Sequence, residues 1–569
     1  MKRIYSLILA GLCIVSFSCN DVLELDLLTD PNNPTPETAD LESLYNSVQL
    51  EFSQFLAAPQ FFTMQLSRQR AMTAGAIYAQ AFSPNNFDNT WNQAYRDLIP
   101  DADAVIALAT PNGQFIHTGS AKIMKAYTLM ALVDLFGPVP NLDASERGID
   151  NLSPPAKPGD VVYAEAEALL NEAIAELASN TAAAPAANIM FSTAEEWITA
   201  ANTLLLRSAV NRRDMGAFNA IISGGDFIDN SGEDWEFEYG PNRANPDSRH
   251  PFYVDSWEAA DGDYQSNWLM WAMSEEKGLI DPRIRGYFYR QVATVPLDNL
   301  NRFDCIFSVL PEPEFTPQWY LDCDEDMPYC VGSLSQGYYG RDHGNGNGIP
   351  PDGDIRAVYG VYPGGGKFDN NTFSGTQNLG TDGALGAGIH PILPSFMIDF
   401  MRAEMAAVSG DTESARQFLL TGVQASIDKV LNFIVDRDPA SVAEVVATDI
   451  NGNQLFGRDF LPSLDDIDAY IAVVAERFDN SSDPMEVIAK EFLIATYGNG
   501  LEGFNIIRRT GRPSNLQPAI QGPGVAGTLI RSALYPAVNV NLNETASQKD
   551  QQQQVFWDTQ SADLGPCFN

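Results

Sequence analysis

The sequence predicts a mainly α-helical protein, with antiparallel helix pairs stacked into an α-α superhelix and one loop-rich insert holding short β segments. Three observations predict this class. Apolar residues recur at three- and four-residue spacing through residues 41–225 and again through 391–569. In the second region a helix-ending glycine is followed directly by a helix-starting aspartate. Between the two, residues 226–390 lose the period and fill with Gly, Pro, Asn and aromatics, the signature of turns and irregular chain.

The elements follow in chain order. Lys2 and Arg3 precede the apolar stretch Ile4–Ser18, which stops at Cys19. That run is too short for a bilayer-spanning helix and reads as a bacterial export signal over residues 1–18. A cysteine at the cut suits lipid attachment, so Cys19 is expected to carry acyl chains, two or more of which anchor stably. Residues 19–40, including "NDVLELDLLTDPNNPTPETAD", combine acids, Asn and Pro and read as a tether. In "GSAKIMKAYTLMALVDLFGPVP", Ile123, Ala126, Tyr127, Met130 and Val133 recur at helical spacing before "GPVP" ends the run. In "DVVYAEAEALLNEAIAEL", Tyr163, Ala166, Leu170, Ala173, Ile174 and Leu177 form one stripe, with Asp160 expected as its cap. Thr193, three residues before Glu196, predicts a capping box.

Inside the insert only "DSWEAADGDYQSNWLMWAMSEEKG" suggests a helix. Helices resume at "PSFMIDFMRAEMAAVSGDTESARQFLLTGVQASIDKVL", where Gly410 fits the position after a helix and Asp411 the cap of the next. A break that short gives an antiparallel helix pair, the unit of tetratricopeptide-like arrays. "VVATDINGNQLFG" reads as a hairpin around Asn451 and Gly452. Beyond the signal, no stretch reads as membrane-spanning.

Charge narrows the function classes. Lys and Arg total 34 against 74 Asp and Glu, a formal charge of −40. Such a surface repels phosphate backbones and anionic lipid faces, which excludes nucleic acid as a partner and leaves the lipid anchor as the only membrane attachment. With Cys13 lost in the signal and Cys19 lipidated, Cys305, Cys323, Cys330 and Cys567 remain. An even number in an exported protein suggests two disulfides, in any of three pairings. The four histidines show no two-histidine metal spacing, and no GxSxG or P-loop motif occurs.

Several segments in one order carry a resemblance: "WNQAYRDLIPDADAVIALA" from Trp91, "GSAKIMKAYTLMALVDLFGPVPNLDA", "RHPFY", "GRDHGNGNGIPPDGD", "FMRAEMAAVSGDTESARQFLLTGVQASI" and the ending "YGNGLEGFNIIRRTGRPSN" through "QVFWD". Together they resemble the SusD/RagB family of Bacteroidetes outer-membrane lipoproteins. Val538 and Asn539 stand where that family more often shows an acidic residue. The resemblance implies a tetratricopeptide-like fold on the cell surface, lying as a lid over a SusC-like TonB-dependent transporter. It implies binding of an oligosaccharide, or alternatively a peptide, with no catalysis. Two rivals are a lipid-anchored glycosidase, which needs two carboxylates about 5–10 Å apart in a cleft, and a helical scaffold that binds only proteins.

A sugar ligand asks for flat aromatic rings beside amide, carboxylate or guanidinium partners. Trp319 and Tyr320, on a stretch marked by Pro317 and an acidic run, are expected on an exposed loop. Trp268, Arg68 and Asn86 complete the candidate ligand set. Asp342, Asn345, Asn347, Asp352 and Asp354 are oxygen donors on a glycine-rich loop and form a candidate calcium site. Their spacing departs from the EF-hand pattern, so a plain turn-rich loop is the competing reading. No cofactor is required by the binding function.

Overall fold

The computed structural model describes residues 40–568, apart from residue 76 and segments 143–150, 180–183, 259–263, 295–315, 330–334, 346–352, 376–379, 523–526, 562–563 and 565. The signal segment, Cys19 and nearly all of the tether lie outside the described residues, as do Cys305, Cys330, Asn347 and Asp352.

Helices build the first region as the apolar spacing predicts. α1 (Leu41–Ala57) starts at Asp40, whose carboxylate accepts from the Ser43 amide at 2.9 Å, and buries Tyr45, Val48, Phe52 and Phe55 on one face. α2 (Ile99–Ala109) packs on α1, and both pack on α3 (Phe115–Phe136). From Ile116 onward α3 is buried on every side, because helices cover it all round. α4 (Gly159–Ala178) runs against α3 so closely that a Cβ on Gly119 would come within 2.5 Å of Leu177 Cγ. Asp160, expected as the cap of α4, lies instead in its first turn, since Pro158 occupies the cap position. α5 (Ala194–Asn211) opens with the predicted capping box of Thr193 and Glu196.

The insert is framed by paired strands. β1 (Trp235–Glu238) will meet β4 across the whole insert, while β2 (Phe288–Tyr289) pairs with β3 (Val358–Tyr359) within it. The expected helix resolves into a π-helical turn over Val254–Glu258 and the short helix α6 (Asn267–Ser274). β4 (Ile389–Leu393) then pairs antiparallel to β1, with Trp235 opposite Leu393 and Phe237 opposite His390. The insert is therefore less loose than its composition suggests: Trp257, Trp268 and Tyr287 are all buried. One disulfide joins Cys323 of the insert to Cys567 near the C-terminus, 244 residues away.

The second helical region contains the predicted pair. α7 (Ser395–Ser409) ends at Gly410, whose φ of 82° is the left-handed conformation open to glycine. α8 (Thr412–Arg437) begins at once, capped by Asp411 on the Ser414 amide at 3.1 Å. By length and composition α8 could cross a membrane, contrary to the sequence expectation. It packs along α7 as a core helix and carries Arg416, Asp428 and Lys429 on its remaining faces. The predicted hairpin forms from β5 (Val445–Thr448) and β6 (Gln454–Phe456). Among the described residues α9 (Leu464–Asn480), α10 (Pro484–Ala495), α11 (Gly500–Thr510) and α12 (Ala537–Leu542) follow.

Buried charge ties the two regions together. Arg207 of α5 donates to Asp134 of α3 and to Glu502 of α11, each at 2.6 Å, with all three side chains almost fully buried. Asp134 also accepts from Tyr163 at 2.5 Å, Trp557 at 2.9 Å and Asn505 at 3.1 Å. Arg509 makes a second buried pair, with Glu404 of α7, at 2.7 Å. Replacing Asp134 with Asn leaves Arg207 with one carboxylate and turns one of the two accepting oxygens into a donor that faces two other donors. The expected cost is about 3–5 kcal/mol, the usual price of uncompensated buried charge. A thermal melt of Asp134→Asn that superimposes on the wild-type curve would refute this.

Candidate ligand cleft

Arg68, Trp268, Tyr320 and Asp342, nominated from sequence, lie in the interior near Gln517. Its amide donates to the Tyr320 hydroxyl at 2.6 Å and to Asp342 Oδ1 at 2.9 Å, and its backbone carbonyl accepts from Arg68 Nε at 2.7 Å. Asp342 accepts a second amide bond, from Asn267 at 2.9 Å. Trp268 is fully buried and donates its indole N–H to the Asn515 carbonyl at 2.8 Å. Tyr320 is therefore not on an exposed loop. Its ring is fully buried in a short helix, Gln318–Leu321, because a partner for its hydroxyl arrives from far along the chain. Trp319 is half-buried, its ring 3.1 Å from where a Cβ on Gly522 would stand. Asn86 is exposed, but its carbonyl oxygen closes a capping box on Ser83 at 2.7–2.9 Å.

Of the candidate calcium donors, Asp342 is engaged by amides, Asn345 is buried and Asp354 is half-buried. Among the described residues no three His, Cys, Asp or Glu side chains gather as metal ligands. Gln517→Ala is expected to lower stability by about 2 kcal/mol, since Tyr320 and Asp342 each lose a buried partner. Denaturant unfolding of this variant checks the assignment; an unshifted midpoint would contradict it.

A different set of residues forms an open cleft of about 580 Å³. The helical turn Asp88–Asn92 passes into a π-helical segment, Gln93–Leu98, before α2 begins. Such wide turns re-aim side chains and recur at functional sites. Here the turn brings Trp91, Asn92, Tyr95 and Arg96 to one wall. The Trp91 and Tyr95 rings lie 4.5 Å apart between centroids at 44°. Trp91 is braced edge-on by Phe136 and Tyr535, and the Tyr95 hydroxyl donates to the Pro140 carbonyl at 2.6 Å. The opposite wall is α12, with Val538, Asn539 and Leu542.

The polar groups of this cleft are mostly amides. Asn92 and Asn539 make no side-chain hydrogen bond to protein among the described residues, so both are available to a ligand. Asn141 spends its N–H on Glu165 at 2.7 Å and keeps its carbonyl oxygen. The one charged lining residue, Arg96, is held bidentately by Asp97 at 2.8 and 2.9 Å. Leu152 and Leu542, at 75 % and 74 % exposure, stand at the rim. Sequence reading quoted Trp91 within a motif and noted Val538 and Asn539, but gave none of them a ligand role. The signal that could have found the site was the one-turn spacing of Trp91 and Tyr95 with Asn92 between them.

A second cleft of about 640 Å³ is lined by charges already spent on one another. Glu276 lies beside it; burial pushes its carboxyl upward, but Lys490 and Lys277 hold it down to about 2.

Behind the first cleft, Glu51 of α1 meets Asp101 of α2. Burial and then the Asp101 charge raise the Glu51 carboxyl to about 7. Two carboxyls with one raised pKa are what the glycosidase reading asks for, yet neither lines the cleft. Because the folded value lies above the unfolded one, their contribution is full below about pH 4.5 and fades as pH rises through 7. Glu51→Gln is thus expected to raise the melting temperature by about 1 °C at pH 8 and to leave it unchanged at pH 4. A gain confined to acid would reverse the sign.

Residues 31–299 match the SusD-like family, described as starch-binding and associating with the outer membrane. No curated protein matches the sequence. Among solved structures, a chitin-binding protein superposes with a TM-score of 0.61 at 16 % identity, covering 92 % of this chain and 100 % of its own. A SusD homologue from Bacteroides uniformis gives 0.60 at 17 %, with the same coverage. A chitin-binding SusD homologue from Flavobacterium johnsoniae gives 0.56 at 16 %, covering 91 % of this chain and 99 % of its own.

Proposed function

We propose that this chain, a protein of the SusD/RagB family, captures carbohydrate at the Trp91–Asn539 cleft on the outer membrane. In this reading Cys19 carries the lipid that holds the chain at the cell surface. The captured oligosaccharide then passes unaltered to a SusC-like TonB-dependent transporter. The family's description as starch-binding and outer-membrane-associated supports the setting, and the chitin-binding relatives support a glycan ligand.

One observation carries the choice of site: two adjacent aromatic rings share a cleft of about 580 Å³ with two amides, Asn92 beside them and Asn539 on the other wall, that have no protein partner among the described residues. Sugar C–H faces stack on such rings, while neutral amides both donate to and accept from hydroxyls. The volume falls in the range of small-ligand sites. A peptide would leave its charged termini without partners here, so a sugar is favoured. Catalysis is not part of the reading, because no carboxyl pair lines the cleft among the described residues.

Tyr95 is half-buried and can be truncated with less damage than Trp91. Tyr95→Ala is expected to weaken binding of a glycan selected on an array by about tenfold, a loss of roughly 1.4 kcal/mol. Calorimetry measures this, with a melting curve as the folding control. Unchanged affinity would remove the cleft from the binding site, and shortened sugar products from the wild-type protein would restore the glycosidase reading.

A further inference from the structure

We infer that the cleft selects uncharged sugars carrying acetamido groups over plain hexoses and over uronic acids; this rests on the cleft being the carbohydrate site. The exclusion of uronates follows from charge. A sugar carboxylate needs a cation, and the charge of Arg96, the one cation in the lining, is already matched by Asp97 through two hydrogen bonds. The remaining polar lining is amide, and the whole chain carries a formal charge of −40, which opposes the approach of an anion.

The preference for acetamido groups follows from the rim. Leu152 and Leu542 are about three-quarters exposed and flank the same opening, with Val538 beside them. A hydroxyl gains nothing from covering such side chains, whereas an acetyl methyl removes apolar surface from water on both sides of the contact. The amide part of the same substituent offers one acceptor and one donor. Asn92 and Asn539 supply both kinds of partner, and the free carbonyl oxygen of Asn141 a further acceptor. One substituent thus matches the apolar rim and the amide floor together.

The test titrates the purified chain with tetramers of N-acetylglucosamine, of glucose and of galacturonate. The N-acetylated tetramer is expected to bind roughly tenfold tighter than the glucose tetramer, with no detectable heat from galacturonate. Leu152→Ser combined with Leu542→Ser should bring the two neutral affinities together; both residues are exposed, and a melting curve confirms the fold. Equal wild-type affinities for the two neutral tetramers, or tighter binding of the uronate, overturn the selectivity while leaving a sugar-binding cleft in place. Failure of every tetramer to bind, or binding that Tyr95→Ala leaves intact, overturns the cleft assignment and this inference with it.

Discussion

The fold depends on a buried carboxylate, Asp134, placed where helices from both helical regions of the chain converge. Its oxygens accept from Arg207, Tyr163, Asn505 and Trp557, which belong to α5, α4, α11 and the C-terminal segment. A charge so deep in the protein is costly to desolvate, and only this set of donors compensates it. The constraint reaches the cleft directly. Asp134 lies in the last turn of α3, and the chain leaving that helix supplies Pro140 and Asn141 to the cleft wall. Ala533 donates its amide to the Leu135 carbonyl at 2.7 Å, fixing the segment that leads into α12, the other wall. The interaction that joins the two helical regions thus also sets the spacing of the site.

Local signals in the sequence were read well and distant ones were not. The Thr193 capping box, the Gly410 and Asp411 break and the Asn451 and Gly452 hairpin all arise from contacts a few residues apart, and all appear in the structure. Asp160 shows the limit of even that reading, because the helix starts two residues earlier, with Pro158 at the cap. Arg68, Trp268, Tyr320 and Asp342 carry the chemistry of a binding site in their residue types. Their partners lie at Asn515 and Gln517, up to 449 positions away, and no spacing rule connects them. Polar side chains brought together in the interior satisfy one another, which makes them poor candidates for a ligand.

The cleft was hidden for a complementary reason. Its aromatic wall rests on the one-turn spacing of Trp91 and Tyr95, which marks a buried helix stripe as readily as a binding site. Its other wall comes from α12, more than four hundred residues later, so neither half reads as a site by itself. The acidic exterior and the neutral cleft also belong to different scales. Net charge describes the whole surface, whereas the lining is balanced locally by one arginine and its neighbouring aspartate.

The pairing of β1 with β4 has a consequence for how such proteins diversify. It holds the two ends of the 226–390 segment side by side, with Trp235 opposite Leu393 at the base. Everything between leaves and re-enters the helical shell through one narrow doorway. The entropy of closing a loop grows only slowly with its length, so the outer turns of this segment can be lengthened or shortened at little cost, whereas Tyr320, Asp342 and Trp268 must keep their bonds to Gln517 and Asn515. The doorway thus leaves the rim of the insert open to revision by evolution or a protein engineer, while its buried side and the Cys323–Cys567 bridge stay stitched to the helices.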